Sequence, residues 1–297
     1  MPLYMNMIKQ ALRIATKESF PVLIKETLKR FNLHGGLWLF IIYLAHRITG
    51  KTIVYKDVLG SKMKLNIAYG GVHSELFLHS IREEVATKYF MHKLNKNMTV
   101  VDIGANIGYY ALLEARTCKK VYAIEPAPNN YQSLIENIKL NNYQNIETSM
   151  IAIGDKEGDI QFKLSKTPNW HKIAVNGNGD ITVPITTLDK FLKGKKVDII
   201  RMDVEGYEAN ILEGMGDIMK NNHLLMFIET HNDLMAGYGK SLRLFYELLA
   251  RYNYYLNYSV IQGKEGVSGR IRDLINNPAL YQGLGSWIFV EGGQNVT

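Results

Sequence analysis

Apolar residues fall into two kinds of run along this 297-residue chain. The first kind is short: 100–103, 121–124, 146–153, 197–202, 224–228, 255–261 and 286–291 are strand-length stretches rich in apolar residues, and the nearly continuous ones, such as 121–124 and 224–228, read as strands buried on both faces. The second recurs at three- and four-residue intervals, over 81–94, 109–115, 129–140, 207–214 and 242–252, and predicts amphipathic helices. In 129–140 the apolar side is Tyr131, Leu134, Ile135 and Ile138. Strands and helices alternate, so the expected fold class is α/β: a seven-stranded, mostly parallel sheet with helices on both faces. A loop rather than a convincing helix precedes the last strand, which should therefore run antiparallel as an insertion at the sheet edge.

Upstream of this repeat the pattern changes. Residues 53–59 and 62–67 straddle Gly60-Ser61 and read as a hairpin. Residues 7–17 show weak helical spacing, Ser19 and Pro21 mark a second helix start, and Gly35-Gly36 interrupts before the apolar run 37–45. That run is well short of the roughly 20 residues of a spanning helix. The expected organisation is a basic helical extension over 1–52, a hairpin and helix over 53–94, and the main domain over 95–297. Residues 161–180, with Pro168, Trp170 and the Asn-Gly repeat at 176–179, are the least regular part and read as a surface connection.

Composition adds two constraints. Hydrophobic content of 46% with 21% charged residues suits a packed core, and the single cysteine, Cys118, permits neither an internal disulfide nor a cysteine-built metal site. Of the net charge of +7, six units lie in residues 1–51. The main domain is thus nearly neutral, and no nucleic-acid partner is expected. The basic extension has two readings: an arm on an anionic membrane with Trp38 dipping into the interface, or helices that cap the domain or a partner subunit. The second is preferred. No cleavable leader pattern is evident in the first 30 residues, so a cytoplasmic chain is expected, with peripheral membrane attachment as the alternative.

The chemistry gathers around TVVDIGANIGYYALLEARTCKKVYAIE, a strand, a small-residue turn, a helix and a second strand. Gly104 and Gly108 let the backbone approach a ligand closely, and Asn106 between them tolerates a left-handed conformation. The turn lacks the third glycine of the dinucleotide fingerprint, and Tyr109-Tyr110 stands where a P-loop needs Lys-Ser/Thr. Asp102, just before the turn, would repel a pyrophosphate and attract an ammonium or sulfonium. Glu125 ends the next strand 23 residues later, near the spacing at which an acid meets a ribose. An adenosyl ligand with two cations and no phosphate answers that description, and S-adenosylmethionine (SAM) is one. Farther on, Asp203-Val204-Glu205-Gly206 and Glu229-Thr230-His231 each follow a central strand, at the edge where open α/β sheets bind ligands.

In order, DIGANIGYY, AIEPAPNNYQSLIENIKLNN, AIGDKEG, PITTLDKFL, DIIRMDVEGYEANILEG and FIETH resemble the FkbM-type family of SAM-dependent methyltransferases, over about residues 71–231. The resemblance implies a Rossmann-like methyltransferase sheet, SAM as cofactor, and methyl transfer to an oxygen on a sugar, a lipid head group or a small metabolite. The candidate cofactor contacts are Asp102, Gly104, Ala105, Asn106, Gly108, Tyr109, Glu125 and Pro126. By resemblance Ile151 and Ala152 lie along the adenine. Asp203, Glu205 and His231 are the candidate catalytic residues, Asp203 or His231 acting as base, and no bound metal is expected. The rival readings are a SAM-binding module without turnover and an NAD(P)-type nucleotide enzyme.

Overall fold

The computed structural model describes residues 43–46, 48–165, 170–220, 224–261, 264–265, 269–276 and 286–293. The helices expected within 7–31, and with them the membrane-arm reading, lie outside the described residues. The chain divides into two compact units, 1–58 with 63–82, and 59–62 with 83–297. The smaller holds β1 (Ile53–Val58), most of β2 (Ser61–Asn66), paired as a two-stranded sheet, and α1 (Gly71–His79).

The larger unit opens with α2 (Glu84–Lys93), β3 (Thr99–Ile103), α3 (Tyr109–Ala115), β4 (Lys120–Ile124), α4 (Pro128–Asn141) and β5 (Ile146–Ser149). It continues through β6 (Ala152–Gly154), β7 (Gly158–Lys163), β8 (Lys172–Ile173), β9 (Ile181–Thr187), α5 (Leu188–Phe191), β10 (Ile199–Met202) and α6 (Glu208–Glu213). The last elements used here are β11 (Leu225–Thr230), α7 (Leu242–Arg251), β12 (Tyr254–Ile261) and β15 (Ser286–Gly292), with two-residue strands β13 (Lys264–Glu265) and β14 (Gly269–Arg270) pairing on β12.

The seven long strands lie in the order β5-β4-β3-β10-β11-β15-β12, parallel except for β15. This is the Rossmann-like methyltransferase sheet. The last strand is antiparallel as its loop connection requires, but it inserts between β11 and β12 instead of lying at the edge. The chain reverses direction of build at β3, which has β4 on one side and β10 on the other, so a crevice opens at the carboxyl ends of β3 and β10.

Register assigns the two faces. Asp102, Arg201, Phe227 and Phe289 stand side by side across four strands, and with Phe90, Tyr110 and Trp287 they form a face of rings, Phe227 stacking at 4.0 Å on both Trp287 and Phe289. Ile103, Met202, Ile228 and Ile288 point the other way, into a core shared with Leu242, Phe245, Tyr246 and Leu249 of α7. Ser241 caps that helix by accepting from the Leu244 N–H.

One difference from the sequence reading matters for the site. The strand expected over 146–153 is two strands: β5 leaves the main sheet at Ser149, and β6 starts a second sheet of order β6-β9-β7-β8. Residues 161–180, expected to be irregular, contribute β7 and β8 to it. This sheet carries Phe162 and Ile173, both buried, to the crevice.

Candidate active site

The crevice is a cleft of about 590 Å³, open mouth included, lined by three groups of residues. Gly104, Asn106, Glu125 and Pro126 come from the turn after β3 and the end of β4. Ile151, Ala152, Ile153, Phe162 and Ile173 form an apolar wall on the second sheet, with His171 and Lys172 at its rim. Asp203, Val204, Glu205 and Tyr207 close the side beyond β10.

The turn is tightly specified. Gly104 has φ +81, and a Cβ there would lie 2.0 Å from the Asp203 carbonyl oxygen, so only glycine lets β3 and β10 close at their ends. Asn106 adopts φ 53, as its side chain permits, and its Oδ1 accepts from the Ile107 N–H. Gly108 has φ +96 and sits beneath Leu134. Every backbone N–H from Gly104 to Gly108 is engaged: Gly104 and Ala105 donate to the Ile124 carbonyl, Asn106 to Glu125 Oε2 at 2.8 Å, Ile107 to Asn106, and Gly108 to the Ala105 carbonyl. Glu125 Oε1 accepts from the Ala127 N–H at 2.9 Å. Burial pushes the Glu125 carboxyl up to about 7, against the pull of those two amides.

Asp102 does not line the cleft, contrary to the direct cation contact expected of it. Its strand register places it beside Arg201, and its fully buried carboxylate pairs with the Arg201 guanidinium at 2.8 Å. Arg201 also bonds Asp203 Oδ2 at 3.0 Å and the Gly104 carbonyl at 3.2 Å, and lies 4.1 Å over the Tyr110 ring. Burial works against its charge, but Asp102 and Asp203 together raise its pKa. Ala105, Gly108 and Tyr109 are likewise behind the cleft: Ala105 packs with Ala111 and Ala115, and Tyr109 is buried edge-on to Tyr110. They shape the turn and do not line it.

The far side is a cluster of acids around one imidazole. Gly206, φ +98, turns the chain after β10, and Glu205 before it is held in the left-handed region at φ 55, a strained position for a long side chain. Glu208, fully buried, accepts from the Gly206 N–H at 3.0 Å and meets His231 Nδ1 at 2.7 Å with the same oxygen. His231 Nε2 is then 3.8 Å from Glu205 and 4.0 Å from Glu229. Asp203, Glu205 and His231, each partly exposed, offer donor atoms within 4.8 Å of one another. Burial, the largest influence on His231, disfavours its charge, yet Glu208, Glu229 and Asp203 carry its pKa well above the usual histidine value. Burial also lifts Glu205 to about 7, against the His231 charge.

The structure thus brings the sequence candidates Asp203, Glu205 and His231 near one another and adds Arg201 and Glu208, which the sequence reading did not single out. Arg201 stands among apolar strand residues, where a pairing with Asp102 follows only from register. Glu208 reads as an ordinary polar position in the first turn of a helix.

Residues 102–255 match the Methyltransferase FkbM domain, slightly more than half the chain. The hexuronic acid methyltransferase AglP of Haloferax volcanii is 24% identical over 154 residues, which span 50% of this chain and 62% of that protein. A tRNA(Phe) (4-demethylwyosine(37)-C(7)) aminocarboxypropyltransferase of Methanocaldococcus jannaschii is 48% identical over 71 residues, 23% of this chain and 27% of that one. The crystal structure of an FkbM methyltransferase from Methylobacillus flagellatus superimposes with a TM-score of 0.43 at 14% identity, covering 73% of this chain and 52% of that one. With the domain match running from the acid before the glycine turn through the DVEG and ETH strand ends, the chain belongs to the FkbM methyltransferase family, whose methyl donor is SAM.

Proposed function

We propose that this protein transfers a methyl group from SAM to a hydroxyl oxygen of a sugar, with an acidic sugar such as a hexuronic acid as the first acceptor class to test. The observation that carries the donor half is the state of the turn: all five amides from Gly104 to Gly108 are already bonded within the protein, so none is left to cradle a phosphate. The cleft fits SAM in its other parts too. An apolar wall at Ile151, Ala152, Ile153 and Phe162 suits an adenine, and Glu125 at the end of β4 suits a ribose. A dinucleotide enzyme would need the phosphate-binding amides that this turn has used.

When bound, the donor supplies an activated methyl whose bond to sulfur breaks with the electron pair left on sulfur. The protein's work is to place the acceptor oxygen in line with that methyl and to exclude water. Asp203 and Glu205 line the cleft beyond β10 with His231 beside them, a setting in which an acceptor hydroxyl could lose its proton as the new O–C bond forms. Glu205, held near 7, is poised to accept a proton at neutral pH. Lys172 at the rim bears on Glu205 and offers a cation on the second sheet's wall of the cleft, a partner for a sugar carboxylate.

The acceptor class draws its support from the AglP relative, and the tRNA-modifying relative makes nucleic acid the competing outcome. Purified protein would be given SAM with an isotopically labelled methyl and, in parallel, uronic-acid oligosaccharides, neutral oligosaccharides and transfer RNA. Label on a sugar oxygen supports the proposal. Label on RNA alone overturns the acceptor, and SAM binding with no label anywhere favours a binding module without turnover.

A further inference from the structure

We infer that Asp203, Glu205 and His231 form a divalent-cation site beside the donor cleft. The inference rests on the methyl-transfer reading for its role but not for its geometry, and it departs from the sequence expectation of no metal. The ligands lie at the ends of two adjacent strands, so no short-range spacing announces them.

Three observations point to a cation. The donor atoms of the three residues lie within 4.8 Å of one another. Ligands on one ion at about 2.0–2.6 Å stand at most about twice that far apart, so a single ion can reach all three. Next, the buried Glu208 holds His231 Nδ1 at 2.7 Å, which turns the other ring nitrogen, Nε2, toward Glu205 at 3.8 Å and Glu229 at 4.0 Å. Those separations are too long for hydrogen bonds and normal for two ligands sharing an ion. Finally, Glu205 and Glu229 both face that nitrogen, and Arg201 bonds Asp203 through Oδ2. The ligand side chains are 17–19% exposed, so an ion has a way in and positions open to an acceptor.

A mixed carboxylate and imidazole donor set suits a first-row divalent ion such as Mn²⁺ over Ca²⁺. Loading replaces any proton on Nε2. The ion would grip the acceptor hydroxyl and lower its pKa; the O–H proton leaves to water, the O–CH₃ bond forms as S–CH₃ breaks, and sulfur keeps the electron pair. With the ion bound Glu205 is a ligand, and water takes the proton that Glu205 would accept in the metal-free protein.

The test titrates metal-free full-length protein with Mn²⁺ and follows the free-ion electron paramagnetic resonance signal, without donor or acceptor. One equivalent should bind. Glu208→Gln, which leaves every ligand in place, should weaken binding by about 10–100-fold, and Glu205→Gln should weaken it further. Glu147→Gln, far from the cluster on β5, should bind like wild type. An undiminished free-Mn²⁺ signal, or equal binding by Glu205→Gln, overturns the site, and so does stoichiometric displacement of Mn²⁺ by SAM, which would make the cluster the donor's own cation subsite. SAM calorimetry in EDTA runs alongside. Donor binding with no Mn²⁺ uptake leaves the methyltransferase reading standing and removes the metal; Mn²⁺ uptake without donor binding does the reverse.

Discussion

Glu125 holds the amides of Asn106 and Ala127 with its two oxygens and still faces the cleft, so its charge serves the turn and the ligand together. Its carboxyl titrates near 4.5 in an unfolded chain and at about 7 in the folded one. Between those values the folded state holds the extra proton, so this group's contribution to stability is full below about 4.5 and is lost as pH rises through about 7. Urea midpoints measured from pH 5 to 8 should therefore fall with pH more steeply for wild type than for Glu125→Gln. A cationic donor prefers the ionised carboxylate, so SAM affinity should rise across the same window and flatten in the variant. Gly104 is the other decisive position. Gly104→Ala puts a methyl 2.0 Å from the Asp203 carbonyl at positive φ, and should cost roughly 2–5 kcal/mol in urea unfolding along with donor binding. The glycines, Asn106 and Glu125 were legible from local chemistry, because each answers to its own backbone or its neighbour's. The role of Asp102 was not: its charge suggested a ligand, and strand register gave it Arg201 instead.

At the scale of elements, β3 and β10 are clasped twice at the crevice. Gly104 lies against the Asp203 carbonyl, and Arg201 bridges Asp102 to Asp203 while stacking on Tyr110. Removing one partner of a buried ion pair leaves uncompensated charge, so Arg201→Leu should lose about 3–5 kcal/mol. Thermal or urea unfolding reads that loss, and a double change with Asp102→Asn should recover part of it. The main strands were legible because strands buried on both faces are continuous apolar runs. The second sheet was not, since only Met150 and Ile151 separate β5 from β6, with no glycine or proline between them, and β8 is only two residues long. Insertion of β15 between β11 and β12 was equally hidden: a loop connection requires an antiparallel strand but does not fix which neighbours it takes.

For the whole molecule, two sheets gather residues from distant parts of the chain into one crevice, with the apolar wall of the second sheet on one side and Asp203 and Glu205 on the other. No helix among the described residues is long and apolar enough to cross a membrane. Six of the seven net positive charges belong to residues 1–51, nearly all of them outside the described part. The crevice is acidic, and the five amides from Gly104 to Gly108 are bonded within the protein. The most direct measurement is calorimetry of the full-length protein with SAM, followed by NAD⁺, under one buffer. SAM binding at roughly micromolar affinity, with NAD⁺ giving no heat and failing to displace it, is the predicted result. NAD⁺ binding with no response to SAM would contradict the account.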